Sequence, residues 1–413
     1  MTLRRITRRT TRRDALVTKL AAWIIRLAYS ICALFPRRNK ISFLSRQSSR
    51  PFDFELLEPE IERSFPENVI VWSCVPESGS FGVALALRQV WHAATSRVCF
   101  VDGYVPAVCV PEKHEGMLCV QMWHALGAIK KFGYQALDTP DGRSSRAARD
   151  LRMHRGYDVV IAGLPGAVPS FSEAFDCPSS VILPLGLPRI DYILSPEFSV
   201  KRDRRLRAAV ARLGIEDGRD RDGVVVLYAP TLRRGVADGS EWFVRSVRKL
   251  QRAFSAHDTT LVVAGHPLQA DASLDEEGVL FLRDSAVIDV LDWVDYVITD
   301  YSAVAFEAAV ASKKVLFYVP DINEYRLSPG LNIDPCESYP ELTFDDAACL
   351  AEAVARDHRE SGGFIEPFDE RAKGYLGELE PGCIQRIIAE VRSLAGVSPR
   401  AVEDDDGLAQ TAV

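Results

Sequence analysis

Residues 295–325 read DYVITDYSAVAFEAAVASKKVLFYVPDINEY. Tyr296-Val297-Ile298-Thr299 has strand character, Asp300-Tyr301-Ser302 reads as a turn, and Ala303 to Ser312 is a run of small, helix-compatible residues. A second apolar run, Val315 to Val319, stops at Pro320. Strand, turn, helix, strand is one βαβ unit, with its polar residues at the C-terminal end of the first strand. Ligands of open α/β sheets bind at that edge, and a helix N-terminus placed there suits a phosphate. The spacing marks an anion site and leaves the anion unnamed.

The same alternation runs outward through the chain. Upstream strands are Ile41–Leu44, Val69–Trp72, Val98–Val101, Leu118–Gln121, Val159–Ile161 and Val181–Leu183, with helical patterns such as Val83 to Ala94 and Ser144 to His154 between them. After a charged helical segment at 200–222 come strands Val224–Thr231, Leu261–Pro267 and Val279–Leu282, a helix from Ser240 to Ala256 and a short one from Ala286 to Trp293. Residues 341–356 and 384–395 read as closing helices. Such alternation predicts two doubly wound α/β domains with parallel sheets, and 413 residues exceed one ordinary core. The expected division is a basic arm and helix at 1–39, a first domain at 40–195, a second at 196–395, and a disordered acidic tail at 396–413 carrying Asp404-Asp405-Asp406.

Charge is unevenly spread. Residues 1–50 carry a balance of +12, and the remainder carries −19. A basic segment on an acidic body argues for a local polyanionic contact and against a nucleic-acid-coating protein. Nine scattered cysteines without a C-x-x-C fit a reduced, cytoplasmic chain. Six arginines within residues 4–13 precede ALVTKLAAWIIRLAYSICALF, residues 15–35. As a helix this run would measure about 31 Å at ~1.5 Å per residue. Lys19 and Arg26, seven residues apart and so on one face, favour a helix lying in a membrane interface over one crossing it. Arg26 also splits the apolar run against a cleaved signal peptide. The competing expectation is a helix packed on the protein's own body.

Chemistry collects at strand ends. After the fourth strand stands Val120-Gln121-Met122-Trp123-His124-Ala125-Leu126-Gly127-Ala128-Ile129-Lys130-Lys131-Phe132-Gly133. A His leaving a strand with a Gly turn and two lysines behind it can place a base beside an anion; equally, His124 can be a core histidine with Lys130 and Lys131 solvated. His92, mid-helix, reads as structural. At 186–191 the sequence Gly186-Leu187-Pro188-Arg189-Ile190-Asp191 turns away from the sheet, and an Arg189–Asp191 pair is the simplest expectation. In the second half, three strands run into Thr231 and Arg233, into His266, and into Asp300-Tyr301-Ser302. Parallel strands bring those ends to one cleft. No Walker sequence, no G-x-G-x-x-G after a strand and no His/Cys metal spacing is present.

Taken in order, QMWHALGAIKKFG (121–133), GLPRID (186–191), LYAPTLR (227–233) with GHP (265–267), and ITDYSAVAFEAAVASKKVLFYVPDINEY (298–325) resemble the CDP-glycerol glycerophosphotransferases, the teichoic-acid primases and polymerases. The similarity covers about residues 40–375. It implies a GT-B-like fold of two facing Rossmann-like domains, here with an N-terminal amphipathic membrane-associating helix. It implies peripheral attachment at the cytoplasmic face of the cell membrane, and transfer of glycerol phosphate from CDP-glycerol to a lipid-linked or polymer acceptor with release of CMP. No cofactor beyond the donor substrate and no metal ligand set is implied.

Carried over by position, His124 would be the general base, and His266 would contact the donor phosphates and favour departure of CMP. Arg233 would neutralise the pyrophosphate, Asp300 and Ser302 would hold donor phosphate and ribose, and Glu307 would be a further donor-binding residue. Lys130, Lys131, Arg189 and Thr231 are secondary candidates. The chain departs from the family pattern at Ala125-Leu126-Gly127 after His124, at Ala303 for a second Ser, and at Glu307 for Asp. These departures bear on donor and acceptor identity, with ribitol phosphate the competitor to glycerol phosphate. A nucleotide-sugar glycosyltransferase of the same architecture and a catalytically silent membrane-binding module are the rival readings.

Overall fold

A computed structural model describes residues 12–75, 82–140, 142–215, 223–233, 239–265, 279–283, 285–361 and 363–396. Two six-stranded, all-parallel sheets form its frame. The first contains β1 (Lys40–Leu44), β2 (Val69–Ser73), β3 (Val98–Val101), β4 (Leu118–Gln121), β5 (Val159–Ile161) and β6 (Ile182–Leu183), in the order β2-β1-β3-β4-β5-β6. The second contains β7 (Val224–Tyr228), β8 (Thr259–Val263), β9 (Leu280–Phe281), β10 (Tyr296–Thr299), β11 (Lys314–Tyr318) and β12 (Thr343–Phe344), in the order β12-β11-β10-β7-β8-β9. Both are doubly wound. β1, β3, β4, β5 and β7 are buried along their whole length, as expected of strands covered by helices on both faces.

Register explains why chemistry meets in the second sheet. β10 pairs with β7 so that Ile298 lies beside Tyr228, and with β11 so that Thr299 lies beside Phe317. The strand ends are level, so the turns after β7, β10 and β11 emerge together.

Local differences from the sequence reading have local causes. The helix expected over 303–312 spans Val304–Val310. Ser312 takes a left-handed conformation (φ 51°), its N–H donates to the Ala309 carbonyl and that of Lys313 to Ala308. This is a Schellman closure with serine in the usual glycine position. The segment 286–293 forms only a 3-10 turn at Val287–Asp289, where the Asp289 carboxylate takes the Ala286 N–H and the Arg205 guanidinium. The helix from Ser145 ends at Asp150, because Arg152 and His154 are left-handed. The closing segment near 341 starts with a 3-10 turn, Pro340–Leu342, passes through β12 and becomes α-helical only at Ala347, where Asp346 caps it by accepting the N–H groups of Ala348 and Cys349.

Arg189 and Asp191 do not pair. Both lie on the helix Pro188–Leu194, and residues two apart on a helix face different ways. Asp191 instead accepts N–H groups from Gly382, Cys383 and Ile384 at 2.7, 2.9 and 2.8 Å. It thereby fixes the start of the last described helix, Cys383–Leu394, which has left the second domain and packs on the helices Phe52–Ser64 and Pro188–Leu194 of the first. Gly186 permits this approach: its φ is 81°, and a Cβ there would stand 2.3 Å from the Cys383 sulfur.

The N-terminal helix, Arg12–Cys32, meets on one side the expectation of a helix packed on the protein's own body. It packs on the first domain through Ala22 and Tyr29, with Ile25 and Ala28 alongside, and the Tyr29 hydroxyl accepts the His114 N–H at 3.1 Å. The opposite side leaves Leu16, Leu20, Trp23, Leu27 and Ile31 exposed, and Leu34 is exposed in the turn that follows the helix. Among the described residues no helix is long and apolar enough to cross a membrane.

Replacing Asp191 with Ala strips the acceptor from three N–H groups, those of Cys383 and Ile384 buried, a loss of about 1–3 kcal/mol. Melting of the full chain should show it as a lowered midpoint, with Asp191→Asn losing less.

Candidate active site

The first wall of the site is the loop after β4. Trp123 is left-handed (φ 57°), a conformation that costs about 1–3 kcal/mol in a non-glycine residue and that clusters at functional positions. It is held there because its N–H donates to Gln121 Oε1 at 2.8 Å, while Gln121 Nε2 donates to the Gly103 carbonyl. The Trp123 ring stacks on Phe132 at 4.8 Å and lies 4.2 Å from the His124 ring.

His124 is therefore presented on an aromatic base. Its Nδ1 is 3.0 Å from the Asp102 backbone carbonyl. A carbonyl only accepts, so Nδ1 carries the proton and Nε2 keeps its lone pair. The Asp102 side chain, buried, accepts from Ser45 Oγ and Gln47 Nε2, which pins the carbonyl-bearing residue in place. Enclosure by the cleft walls lowers the His124 pKa from the ordinary value of 6.5, against the raising pull of the Asp102 contact. The ring still reaches cleft solvent, so the shift is one of partial desolvation, and its direction favours neutral imidazole.

The loop then crosses to the second domain. The Lys131 N–H donates to the Gly330 carbonyl at 2.9 Å, and the Asn332 N–H to Ile129 at 2.7 Å. Lys130 lines the cleft, while the Lys131 side chain runs past Gly330. Gly127 allows the contact, since a Cβ would sit 2.7 Å from the Phe306 ring and 2.8 Å from Tyr375.

The second wall is Pro230–Leu232, Tyr301–Val304 and Glu307, and the enclosed cleft measures about 310 Å³. Ser302 and Ala303 face it, and among the described residues the Ser302 hydroxyl makes only a long 3.4 Å contact with the Val304 N–H. Asp300, by contrast, is fully buried behind the wall. It accepts from the Thr231 N–H and hydroxyl at 2.8 and 2.6 Å, from the Tyr301 N–H at 2.5 Å, and from Arg233 Nη1 at 2.7 Å. Arg233 also bonds Asp321 and stacks on Trp242 at 3.7 Å. Burial opposes its charge, but Asp300 and Asp321 more than offset this and hold its pKa above the ordinary arginine value. In this conformation Arg233, Asp300 and Thr231 answer one another and support the cleft wall.

Arg189 bonds Asp53 through its N–H and guanidinium and bonds Glu307 through Nη1. Burial pushes the Glu307 carboxyl up and Arg189 opposes that push. Of the expected site residues, His124, Lys130, Thr231, Ser302 and Glu307 line one cleft, and Arg233, Asp300 and Arg189 stand behind it. His266 lies outside the described residues. Asp102, Trp123 and Asp53 were not anticipated. Asp102 follows β3 as His124 follows its neighbour β4, so inspecting every strand end would have found it. Among the described residues no cluster of His, Cys, Asp and Glu is arranged to hold a metal ion.

The family model described as CDP-glycerol:poly(glycerophosphate) glycerophosphotransferase matches residues 27–375. The teichoic acid ribitol-phosphate primase of Bacillus spizizenii is 33% identical over 288 residues, spanning 68% of this chain and 72% of the relative. The teichoic acid glycerol-phosphate primase of the same organism is 26% identical over 300 residues, spanning 71% and 73%. Among solved structures, the wall teichoic acid polymerase TagF superposes with a TM-score of 0.69 at 16% identity, covering 94% of this chain and 99% of that one, a likeness of fold.

Asp300→Ala removes the acceptor of four donors and leaves buried Arg233 half-compensated. A stability loss of about 3–5 kcal/mol is expected, read from chemical denaturation of the variant beside the parent chain.

Proposed function

The chain belongs to the CDP-glycerol:poly(glycerophosphate) glycerophosphotransferase family, and from that premise we propose that it transfers a polyol phosphate from a CDP-activated donor to a lipid-linked or polymer acceptor, releasing CMP, in teichoic-acid-like envelope polymer synthesis. One observation supports this reading most: the unprotonated Nε2 of His124 faces, across a single cleft, a wall bearing Ser302 and Glu307. In the reaction an acceptor hydroxyl attacks the polyol-bound phosphorus, its proton passes to His124 Nε2, and the bond from phosphorus to the CMP oxygen breaks. Phosphoryl transfer asks for positioned charge and in-line geometry more than for covalent help. Ser302 and Lys130 are placed to meet phosphate oxygens, and His266 keeps the donor-phosphate role that the family motif gives it.

The family description names a glycerol phosphate donor. CDP-ribitol is the second reading, favoured by the 33% identity to a ribitol-phosphate primase against 26% to a glycerol-phosphate primase. Nucleotide release, as CMP from CDP-glycerol or CDP-ribitol and as UDP from UDP-sugars, each with membrane extract, tests the proposal; turnover of UDP-sugars alone would overturn it. His124→Ala should cost about 10²–10⁴-fold in kcat, the scale of a general base. The base works neutral and its pKa is lowered, so activity should persist as pH falls to 6.5 and drop only below that value.

The acceptor is amphiphilic, and the exposed stripe of the Arg12–Cys32 helix suits a peripheral membrane contact at the cytoplasmic face. Trp23 is 59% exposed, and exposed Lys19 is placed to reach headgroups beside it, while Arg26 Nε donates to the Val110 carbonyl at 3.3 Å. Arginines at 4–13 would add about 1 kcal/mol each on an anionic leaflet. Sedimentation with vesicles containing anionic lipid should fall roughly tenfold or more for Trp23→Glu combined with Leu27→Glu. Unchanged sedimentation would sink the assignment of this helix.

A further inference from the structure

One buried charge cluster is not used by the reaction as described. Arg189 stands between two carboxylates from opposite domains: Asp53, on the helix Phe52–Ser64 of the first domain, and Glu307, on the helix Val304–Val310 of the second. Its N–H and Nε reach Asp53 Oδ1 at 3.0 and 3.2 Å, Nε also reaches Oδ2 at 3.0 Å, and Nη1 bonds Glu307 Oε1. The three side chains are only 12%, 4% and 12% exposed. A buried ion pair is weak grounds for extra stability, because desolvation cancels much of the attraction. Three features point beyond a fold clamp. The cluster holds two acids against one base. It joins the two domains directly behind the cleft. And Glu307 itself lines the cleft, its Oε2 having no hydrogen-bond partner among the described residues.

We infer that Arg189 is a positioning residue for the transfer: gripping Asp53 on one domain and one oxygen of Glu307 on the other, it sets the spacing of the cleft walls and leaves the second Glu307 oxygen to accept a hydroxyl of the donor's polyol or ribose. The inference rests on the polyol-phosphate reading above. Only a planar guanidinium fits the role, since it bonds two carboxylates in fixed directions where an ammonium is a point charge. The same cluster reaches the base. Arg189 pulls the His124 pKa down and Asp53 pulls it up, while the Asp102 carboxylate lies behind the ring and Glu307 and Lys130 share its cleft.

The test uses full-length protein carrying Asp53→Asn, Glu307→Gln, Arg189→Lys or Arg189→Met. The His124 imidazole is titrated by proton NMR, its signal assigned by its loss in His124→Gln. Asp53→Asn removes a group that raises the His124 pKa, so its midpoint should move to lower pH. Arg189→Met removes one that lowers it, so the midpoint should move to higher pH. In CMP-release kinetics, Arg189→Lys should lower kcat about 10–100-fold with the fold retained, as expected of a misplaced site. Glu307→Gln should act mainly on the donor KM. Wild-type titration midpoints in both Asp53→Asn and Arg189→Met, or wild-type kcat and KM in Arg189→Lys and Glu307→Gln, would overturn the inference. Should Arg189→Met not fold, Asp53→Asn carries the titration arm alone. If the parent chain releases no CMP from any CDP-polyol, the functional reading fails, whereas the titration still reports on the cluster.

Discussion

A carboxylate with no surface, Asp300, has to have its lone pairs answered inside the protein, and much of the second domain is arranged to do so. Four donors converge on it, from Thr231, Tyr301 and Arg233. Each brings a segment with it. Thr231 ties down the turn after β7, and Tyr301 the turn after β10. Arg233 draws in Asp321 after β11, so one buried charge registers three strand ends. The arginine in turn needs cover, supplied by the faces of Trp242, Tyr301 and Tyr325. The cleft wall formed by residues 301–304 is stiff because the charge behind it is fully paired.

The first domain solves its matching problem with less charge. His124 is oriented by a backbone carbonyl and by stacking on a tryptophan held in a strained conformation. The two walls thus differ in kind, one an ion-paired scaffold and the other an aromatic shelf. The polar contacts between Ile129–Lys131 and Gly330–Asn332, with Tyr375 stacked on Phe306, keep them facing.

Much of the frame was legible in the sequence because each strand is a short apolar, β-branched run bounded by polar residues. Val98–Val101, Leu118–Gln121, Val159–Ile161 and Tyr296–Thr299 come out residue for residue. Thr343–Phe344 was missed, two residues being too few to show a period. The meeting of His124 with Thr231, Ser302 and Glu307 was legible from strand ends and from the family likeness. What was not legible was the choice of partner. Arg189 has an acid two residues away and bonds one 136 positions upstream, because helix geometry turns the near one aside. Arg233 looked like a cation awaiting phosphate, and only the three-dimensional placing of Asp300 and Asp321 reveals its occupation. Side-chain pairing is a tertiary property, and strand pattern carries no record of it.

The return of the Cys383–Leu394 helix to the first domain has a mechanical consequence. The chain passes from one domain to the other twice, near Ser195 and again between Leu376 and Cys383. A single tether would leave the second domain free to swivel in every direction. Two separate crossings define a line, and relative motion that stretches neither is confined to rotation about it. Asp191, which anchors the second crossing, sits on the same short helix as Arg189, which grips the opposite wall of the cleft. The pivot and the latch are two residues apart, so any opening of the cleft is levered from the helix that holds it shut.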